Sequence, residues 1–453
     1  MNESRIEKSW ETLSRFILSE DFEAVEAFTD SLTNNEMVHT LFRLSPIEQQ
    51  VLVKRLAPHK AAELIEEVPK SYAAEVIENL EPEEAASIVS KMSSDEQANI
   101  LQNIHSSEAE DILSHMDEEE ADIARSLIEY SPDVAGGLMM TEFLSYPKGF
   151  KVSQVIHDLT ERSDDYALYN VQYIYVVHAK HKLMGVLRLR DVVLSNPDLL
   201  IGDLAKTPLF VKADSNLDEL FEFFEEHQIS ACPVIDDKNY IIGVIRQSSV
   251  KSAIAEKADL DHQKSQGIVN GEELRSMSTL LRSKRRLSWL SVNIVLNIMA
   301  ASVIALFQDT LTAVIALAVF LPIVSDMSGC SGNQSVAVSM RELTLGIARP
   351  SDVFRVWLKE ISVGSINGLV LGSLLALAAW LWIGNPYLGL VVGLALALNT
   401  MIAVSIGGGV PLLLKKLEID PAIASGPILT TITDMCGFFL VLGLATLMLP
   451  LLI

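Results

Sequence analysis

The chain has 453 residues, long enough for several domains, and a formal charge of −24 that resides in its first part. Up to Leu281 there are 51 acidic and 25 basic residues, and beyond it 8 and 10. Such an acidic half argues against nucleic acid and against adhesion to anionic lipid, both of which need basic patches. Three scattered cysteines, Cys232, Cys330 and Cys436, suggest neither a disulfide framework nor a zinc site.

The first ten residues are polar and lack an apolar signal core, so the N-terminus is expected in the cytoplasm. Apolar residues then recur every twelve positions at Leu56, Val68, Leu80, Met92, Ile104, Met116 and Ile128, with breakers at Pro58, Pro69 and Pro82. A short helix and a turn fit each unit. Such units must stack to bury their stripes, which predicts an all-helical superhelix up to about Tyr130 with its carboxylates outward.

A second repeat follows. Tyr173-Ile-Tyr-Val-Val177 and Leu183-Met-Gly-Val-Leu187 read as a hairpin, and 58 residues on come Ala231-Cys-Pro-Val-Ile235 and Ile241-Ile-Gly-Val-Ile245. Helical stretches are predicted before each pair (152–159 and 217–227) and after it (189–194 and 249–255). This tandem order resembles a pair of CBS domains, modules that usually sense ligands rather than catalyse. Residues 259–286 are polar and end in Arg282, Lys284, Arg285 and Arg286, as expected of a connecting helix with a basic collar.

Residues 287–308 are uncharged and long enough to cross a hydrocarbon core of roughly 30 Å. A second span is expected over 311–340, and an uncharged run over 361–414 breaks at Gly384-Asn385-Pro386 into a hairpin. With 423–453 the count is five spans. The basic residues between spans two and three and between four and five fall on the same side as the acidic half. That places the C-terminus on the opposite face, periplasmic or extracellular, of a cell inner membrane.

Asp434 stands in the middle of the last span, and no Lys or Arg follows Lys416. A carboxylate at membrane depth costs roughly 2.5–3.5 kcal/mol even on lenient insertion scales, so it ordinarily faces a protein-lined or water-filled path. Its natural counter-charge here is a mobile cation. Asp326 precedes Ser328-Gly-Cys-Ser-Gly332, a run inviting a bent helix with exposed carbonyls, and Asn333 and Gln334 follow. Glu360 beside Lys359 reads as an interfacial ion pair.

A hard divalent ion prefers oxygen ligands, and magnesium sheds water reluctantly, so one or two carboxylates plus waters would suffice. A symmetric homodimer would bring two copies of Asp434 together. In the competing readings, Asp434 bonds structurally to Thr431, Thr433 or a neighbouring helix, and Asp326 is likewise structural. Asn333 and Gln334 then merely cap a helix break, and Cys330 and Cys436 are packing residues. Gly407-Gly-Gly409 is either a bend or a close helix contact.

The order of parts resembles the MgtE family of magnesium transporters and channels across essentially the whole chain. Matching stretches are Ala135-Gly-Gly-Leu-Met139, Leu189-Arg-Asp191, Gly332-Asn-Gln-Ser335, Lys359-Glu360, Asp420-Pro-Ala422 and Gly426-Pro427 leading to Asp434. The resemblance implies an acidic helical-repeat domain over 1–134, CBS units over 135–200 and 201–258, a connecting helix over 259–286 and a five-span domain over 287–453. It also implies that Asp434 binds hydrated Mg2+ in a pore at a homodimer interface, with Asp326 and Asn333 as further pore candidates. Cytoplasmic Mg2+ would close that pore, and Asp261, Asp259 and Asp214 are the candidate regulatory ligands.

Two departures stand out. Ser328-Gly329-Cys330 replaces the family's usual Gly-Gly-Asn, and Ser248, Ser249, Ser252, Lys257 and Leu260 fall where relatives are acidic. Looser closure by magnesium is therefore expected. Nucleotide binding, ATP for instance, is open to a CBS pair, but no residue decides it. The rival readings are a CBS-regulated transporter of another ion (cobalt, another divalent or an anion) and a membrane sensor that conducts nothing. No phosphate-binding Gly-Lys loop and no nucleophile–base constellation appears, so an enzyme is not expected.

Overall fold

The computed structural model describes residues 3–453 apart from 165, 167, 168, 170, 171, 179–181, 269–272, 274–278, 345 and 418. It divides into two units, Met1–Glu256 and Lys257–Ile453, each treated on its own.

The first unit opens with α1 Glu3–Leu18, α2 Phe22–Thr29, α3 Asn34–Leu41, α4 Pro46–Arg55, α5 Pro58–Glu66, α6 Lys70–Glu78, α7 Pro82–Val89, α8 Ser94–Gln102, α9 Ser106–Ser114 and α10 Glu118–Ile128. From α3 onward each helix starts twelve residues after the previous one. Thr33 with Glu36 and Ser45 with Glu48 form capping boxes, and Pro46, Pro58 and Pro82 occupy first-turn positions where no backbone donor is lost. The period thus begins earlier than the pattern read from Leu56, and Leu44, one repeat upstream, is also buried. Helices two apart pack together, α5 on α7, α6 on α8 and α7 on α9, so each stripe is buried by stacking.

Helix α11 Ala135–Leu138 leads into two copies of one small sheet. In the first, β1 Leu144–Pro147 runs parallel to β2 Tyr173–His178, which pairs antiparallel with β3 Lys182–Arg188. Helices α12 Val152–Glu161, α13 Leu189–Val193 and α14 Ile201–Leu204 accompany it. In the second, β4 Val211–Lys212, β5 Ala231–Ile235 and β6 Ile241–Arg246 repeat that order around α15 Leu217–His227. Both sheets carry a register shift at the same place, between Val176 and Val177 and between Val234 and Ile235. The parallel strands β1 and β4 were not legible from the sequence; they are four and two residues long, too short for an alternating pattern to stand out.

The helical repeat is joined to the second sheet by a shared core, in which Ala98 and Leu127 pack with Phe224, Val234 and Ile245. Polar contacts reinforce it. The Ser94 backbone N–H and hydroxyl donate to Glu142 at 3.0 and 2.8 Å, and Arg246 pairs with Asp95 at 3.2 Å.

Helix α16 Gln247–Ser265 is continuous, covering both the short helix expected after β6 and the start of the connecting segment. It ends near Gly267, whose φ of +89° is a left-handed conformation suited to glycine. Most of the next ten residues lie outside the described set. The basic collar belongs to the first turns of the following helix, α17 Thr279–Leu306.

The second unit then continues with α18 Gln308–Ala313, α19 Leu317–Thr344, a 3-10 turn at Pro350–Asp352, α20 Val353–Ile383, α21 Pro386–Lys416, α22 Pro421–Leu447 and α23 Leu449–Leu452. Five of these helices have 27 to 31 residues. Among the described residues four segments, Thr279–Leu306, Pro350–Ile383, Pro386–Lys416 and Gly426–Leu447, are long and apolar enough to cross a membrane. The fifth, α19, has the length but carries Asp326, Asn333, Gln334 and seven smaller polar or glycine positions between residues 325 and 339.

Helix α21 is the hub, packing on α19, α20 and α22. Gly364, Gly368 and Gly372 line the α20 face, and a side chain at Gly368 or Gly372 would lie 2.5 Å from the carbonyl of Ala397 or Gly393. That spacing is the small-residue seam by which membrane helices approach closely. The hairpin between them forms as expected at Gly384-Asn385-Pro386, where Gly384 is left-handed and Asn385 caps α21 through Tyr387 N–H at 2.9 Å.

Candidate ion site in the membrane helices

Helix α22 starts at Asp420, which accepts from Ala422 N–H at 2.9 Å, with Pro421 at its first position. Asp434 then falls at the midpoint of the helix, half-buried, and accepts a hydrogen bond from the Ser325 hydroxyl of α19. Among the described residues no Lys, Arg or His pairs with it. Of the competing structural bonds, the one to a neighbouring helix is made, from Ser325; Thr433 instead turns its hydroxyl back to the Thr430 carbonyl at 3.0 Å.

Helix α19 has two unlike faces. Val324, Ser328, Ser331, Ser335 and Ser339 are buried, and the last two donate to the α21 carbonyls of Val404 and Gly408 at 3.1 and 3.0 Å. Asp326, Cys330, Asn333 and Ala337, spaced by four, three and four residues, form an exposed stripe on the other side. No protein partner holds Asp326 or Asn333 among the described residues. Ser325 therefore reaches Asp434 while Asp326, the next residue, points elsewhere.

Two expectations for this region are corrected. The Ser328–Gly332 run does not bend into exposed backbone. It stays helical, with the Ser328 and Ser331 hydroxyls satisfied by the Val324 and Met327 carbonyls at 2.7 and 3.1 Å and Gly332 fitted against Ala403 and Leu429. Glu360 is not an interfacial partner of Lys359. It turns inward to accept from Ser335 at 2.6 Å, in the notch left by Gly408. Gly407 likewise lies against the Gly332 carbonyl, so the triple glycine is a close helix contact. Ser325 is the site-region residue the sequence reading missed, whereas Glu360 was already singled out beside Lys359. A hydroxyl next to an intramembrane acid was the available signal.

At the near end of the second unit, Asp261 is half-buried and Asp259 exposed. Lys264 bridges Asp261 at 3.8 Å and Asp420 at 2.9 Å. Burial pushes the Asp261 carboxyl above its ordinary range even though Lys264 opposes it. Asp214 lies in the first unit on an exposed turn after β4.

Elsewhere in the first unit, Glu78, His105 and Glu108 bring their ligand atoms within 4.8 Å of one another on the surface of the helical repeat. A cavity of about 240 Å³ between the two sheets is lined by Phe143, Tyr173, Tyr175, Arg246 and Ser248.

A family model described as the MgtE divalent cation transporter matches residues 321–444, one for the MgtE intracellular N domain matches 32–133, and a CBS domain model matches 201–256. The magnesium transporter MgtE of Bacillus subtilis is 31% identical over 323 residues, 71% of this chain and 70% of that protein. The chain belongs to the MgtE family. The MgtE magnesium transporter of Thermus thermophilus is 31% identical over 327 residues, 72% of each. Among solved structures, the cytosolic domain of the Mg2+ channel MgtE in complex with ATP aligns at a TM-score of 0.50 and 23% identity, covering 54% of this chain and 99% of that one, a likeness of fold. Family and long apolar helices together make this MgtE protein a membrane protein of the divalent cation transporter class.

Proposed function

We propose that this MgtE-family protein conducts hydrated Mg2+ through a homodimeric pore past Asp434, with cation binding to the cytoplasmic units setting how far the pore opens. Asp434 carries the reading: a carboxylate at the middle of an apolar helix, held by a serine hydroxyl and, among the described residues, matched by no cation of the chain. A doubly charged ion that keeps its water shell needs only such outer contacts. The exposed Asp326–Asn333 stripe supports a second copy, because polar groups in a span require protein or water beside them. The basic loops favour a cytoplasmic N-terminus and an inner-membrane location, with the C-terminus on the far side.

Asp326 and Asn333 would then line the path, and Asp261 with Asp259 and Asp214 would serve regulation. Lys264 already supplies positive charge to Asp261 and Asp420, which favours weaker closure by cytoplasmic Mg2+. ATP is not assigned to the cavity between the sheets: Arg246, the cation among its described lining residues, is committed to Asp95.

Purified protein in liposomes, read with an internal magnesium dye, tests the reading. Asp434→Asn should lower Mg2+ uptake by about 100-fold, as loss of a preorganised charged contact does, and light scattering should give two chains per particle. Uptake surviving the substitution, or single-chain particles that conduct, would defeat it. A current reversing with an anion gradient would favour the rival transporter, and no flux of any ion would favour the sensor.

A further inference from the structure

Beside Asp434 lies a polar contact that the carboxylate's own bonds do not explain. Asn399 of α21 is fully buried, as are Thr400 and Thr433. Its Nδ2 donates to the main-chain carbonyl of Thr433 at 3.0 Å, the residue immediately before Asp434. The assignment of the amide is fixed by that partner: a carbonyl accepts, so the group facing it is the NH2, and Oδ1 points the other way. Oδ1 finds no protein donor among the described residues. A buried amide with one arm unsatisfied is unfavourable by itself, so packing alone does not account for an asparagine here, where leucine or methionine would fill the space.

The contact exists because α22 has a notch. A side chain at Gly437, one turn beyond Thr433, would come within 2.8 Å of Asn399 Nδ2. Asn399 thus enters α22 where the helix lacks a side chain and holds a backbone carbonyl rather than a mobile side chain. Helix α21 is itself fixed by the glycine seam with α20. The bond therefore sets the rotation of α22 about its axis at the level of Asp434. With side chains reaching about 5–6 Å from the axis, a rotation of about 20° would move that carboxylate by about 2 Å.

We propose that Asn399 is a positioning residue for cation transport: by gripping the Thr433 carbonyl through the Gly437 notch, it aims Asp434 at the permeating divalent ion. The proposal rests on the reading of Asp434 as the ion site.

Mg2+ uptake into liposomes, measured across Mg2+ concentrations, tests it with Asn399→Leu, Asn399→Ala, Gly437→Ala, the pair Asn399→Ala with Gly437→Ala, and Asp434→Asn. Asn399→Leu and Gly437→Ala should each raise the half-saturating Mg2+ about tenfold and change the maximal rate less, the signature of a displaced contact rather than a damaged fold. The paired variant should be no worse than Asn399→Ala alone, since the methyl enters space the amide has left. Half-saturation equal to wild type in both single variants, with only a lower melting temperature, would make Asn399 ordinary interhelical glue and overturn the proposal. If Asn399→Leu does not fold, Gly437→Ala decides. Asp434→Asn separates the two levels. If it transports normally, both readings fall; if it is inactive while Asn399→Leu and Gly437→Ala keep wild-type half-saturation, only this one does.

Discussion

Several carboxylates of the first unit and the connecting segment are met by cations built into the chain, whereas at 360 and 434 the partner is a hydroxyl. Asp95 is paired with Arg246, Lys70 with Glu256, Lys264 with Asp261 and Asp420, and Glu273 with Arg282 and Arg286. Arg286 first, then Arg282, holds the Glu273 carboxyl below its usual range. Asp434 and Glu360 have Ser325 and Ser335 instead. A fixed guanidinium or ammonium neutralises an acid permanently and turns it into structure. A hydroxyl orients an acid without neutralising it, leaving the charge for an exchangeable ion. The same residue type thus serves architecture in one region and, on the proposed reading, conduction in the other.

That contrast can be broken most forcefully at Arg246. Arg246→Met leaves Asp95, 4% exposed, without its cation, and should destabilise the junction between the helical repeat and the second sheet by about 3 kcal/mol, as removal of one partner from a buried pair does. Protease sensitivity and thermal melting would show it, and Asp95→Asn with Arg246→Met should recover most of the loss. An unchanged melt would mean the pair is incidental. Lys264→Met is the next test. It bares Asp261 and Asp420 together, so on the proposed reading of regulation the Mg2+ needed for half-closure should fall severalfold, by the order of one to two charge contacts. A titration curve that does not move would remove Lys264 from regulation.

The last test concerns pH. Burial, with Asp95 adding to it, pushes the Glu96 carboxyl up to about 7 from its ordinary 4.5. Lys70 and Arg246 oppose this rise and Glu66 favours it; burial also raises the Glu66 carboxyl. The folded state therefore holds this proton more tightly than the unfolded one. Its contribution is complete below pH 4.5 and is lost as pH rises through about 7. Relative to Glu96→Gln, the wild-type protein should lose on the order of 2 kcal/mol between pH 5 and 8. Parallel melting curves across that range would contradict the assignment.

Much of this was legible because periodicity is a local property. The twelve-residue helical repeat and the 58-residue offset between the hairpins both appear in the structure, as does the break at Gly384-Asn385-Pro386. The hairpin repeat extends even to matching register shifts. What stayed hidden depends on neighbours distant in sequence. Glu360 beside Lys359 looks like a pair until Ser335 and the Gly408 notch are brought against it. The Ser328–Gly332 run looks like a break until α21 is seen to need small residues there. Asn399 gives no signal by itself, because its partner is a backbone carbonyl 34 residues away. The candidate ion site showed itself at Asp434, with Asp326 and Asn333, since an isolated polar group in an apolar run is conspicuous, whereas the Ser325 hydroxyl beside Asp434 is not.

The seam between α20 and α21 also limits how such a transporter can work. Where a methyl group would already strike a carbonyl, two rods have no slip plane, and sliding either by one residue would drive a bulky side chain into backbone. They can travel only as one block, and α19 travels with it, since a side chain at Gly407 of α21 would strike the Gly332 carbonyl.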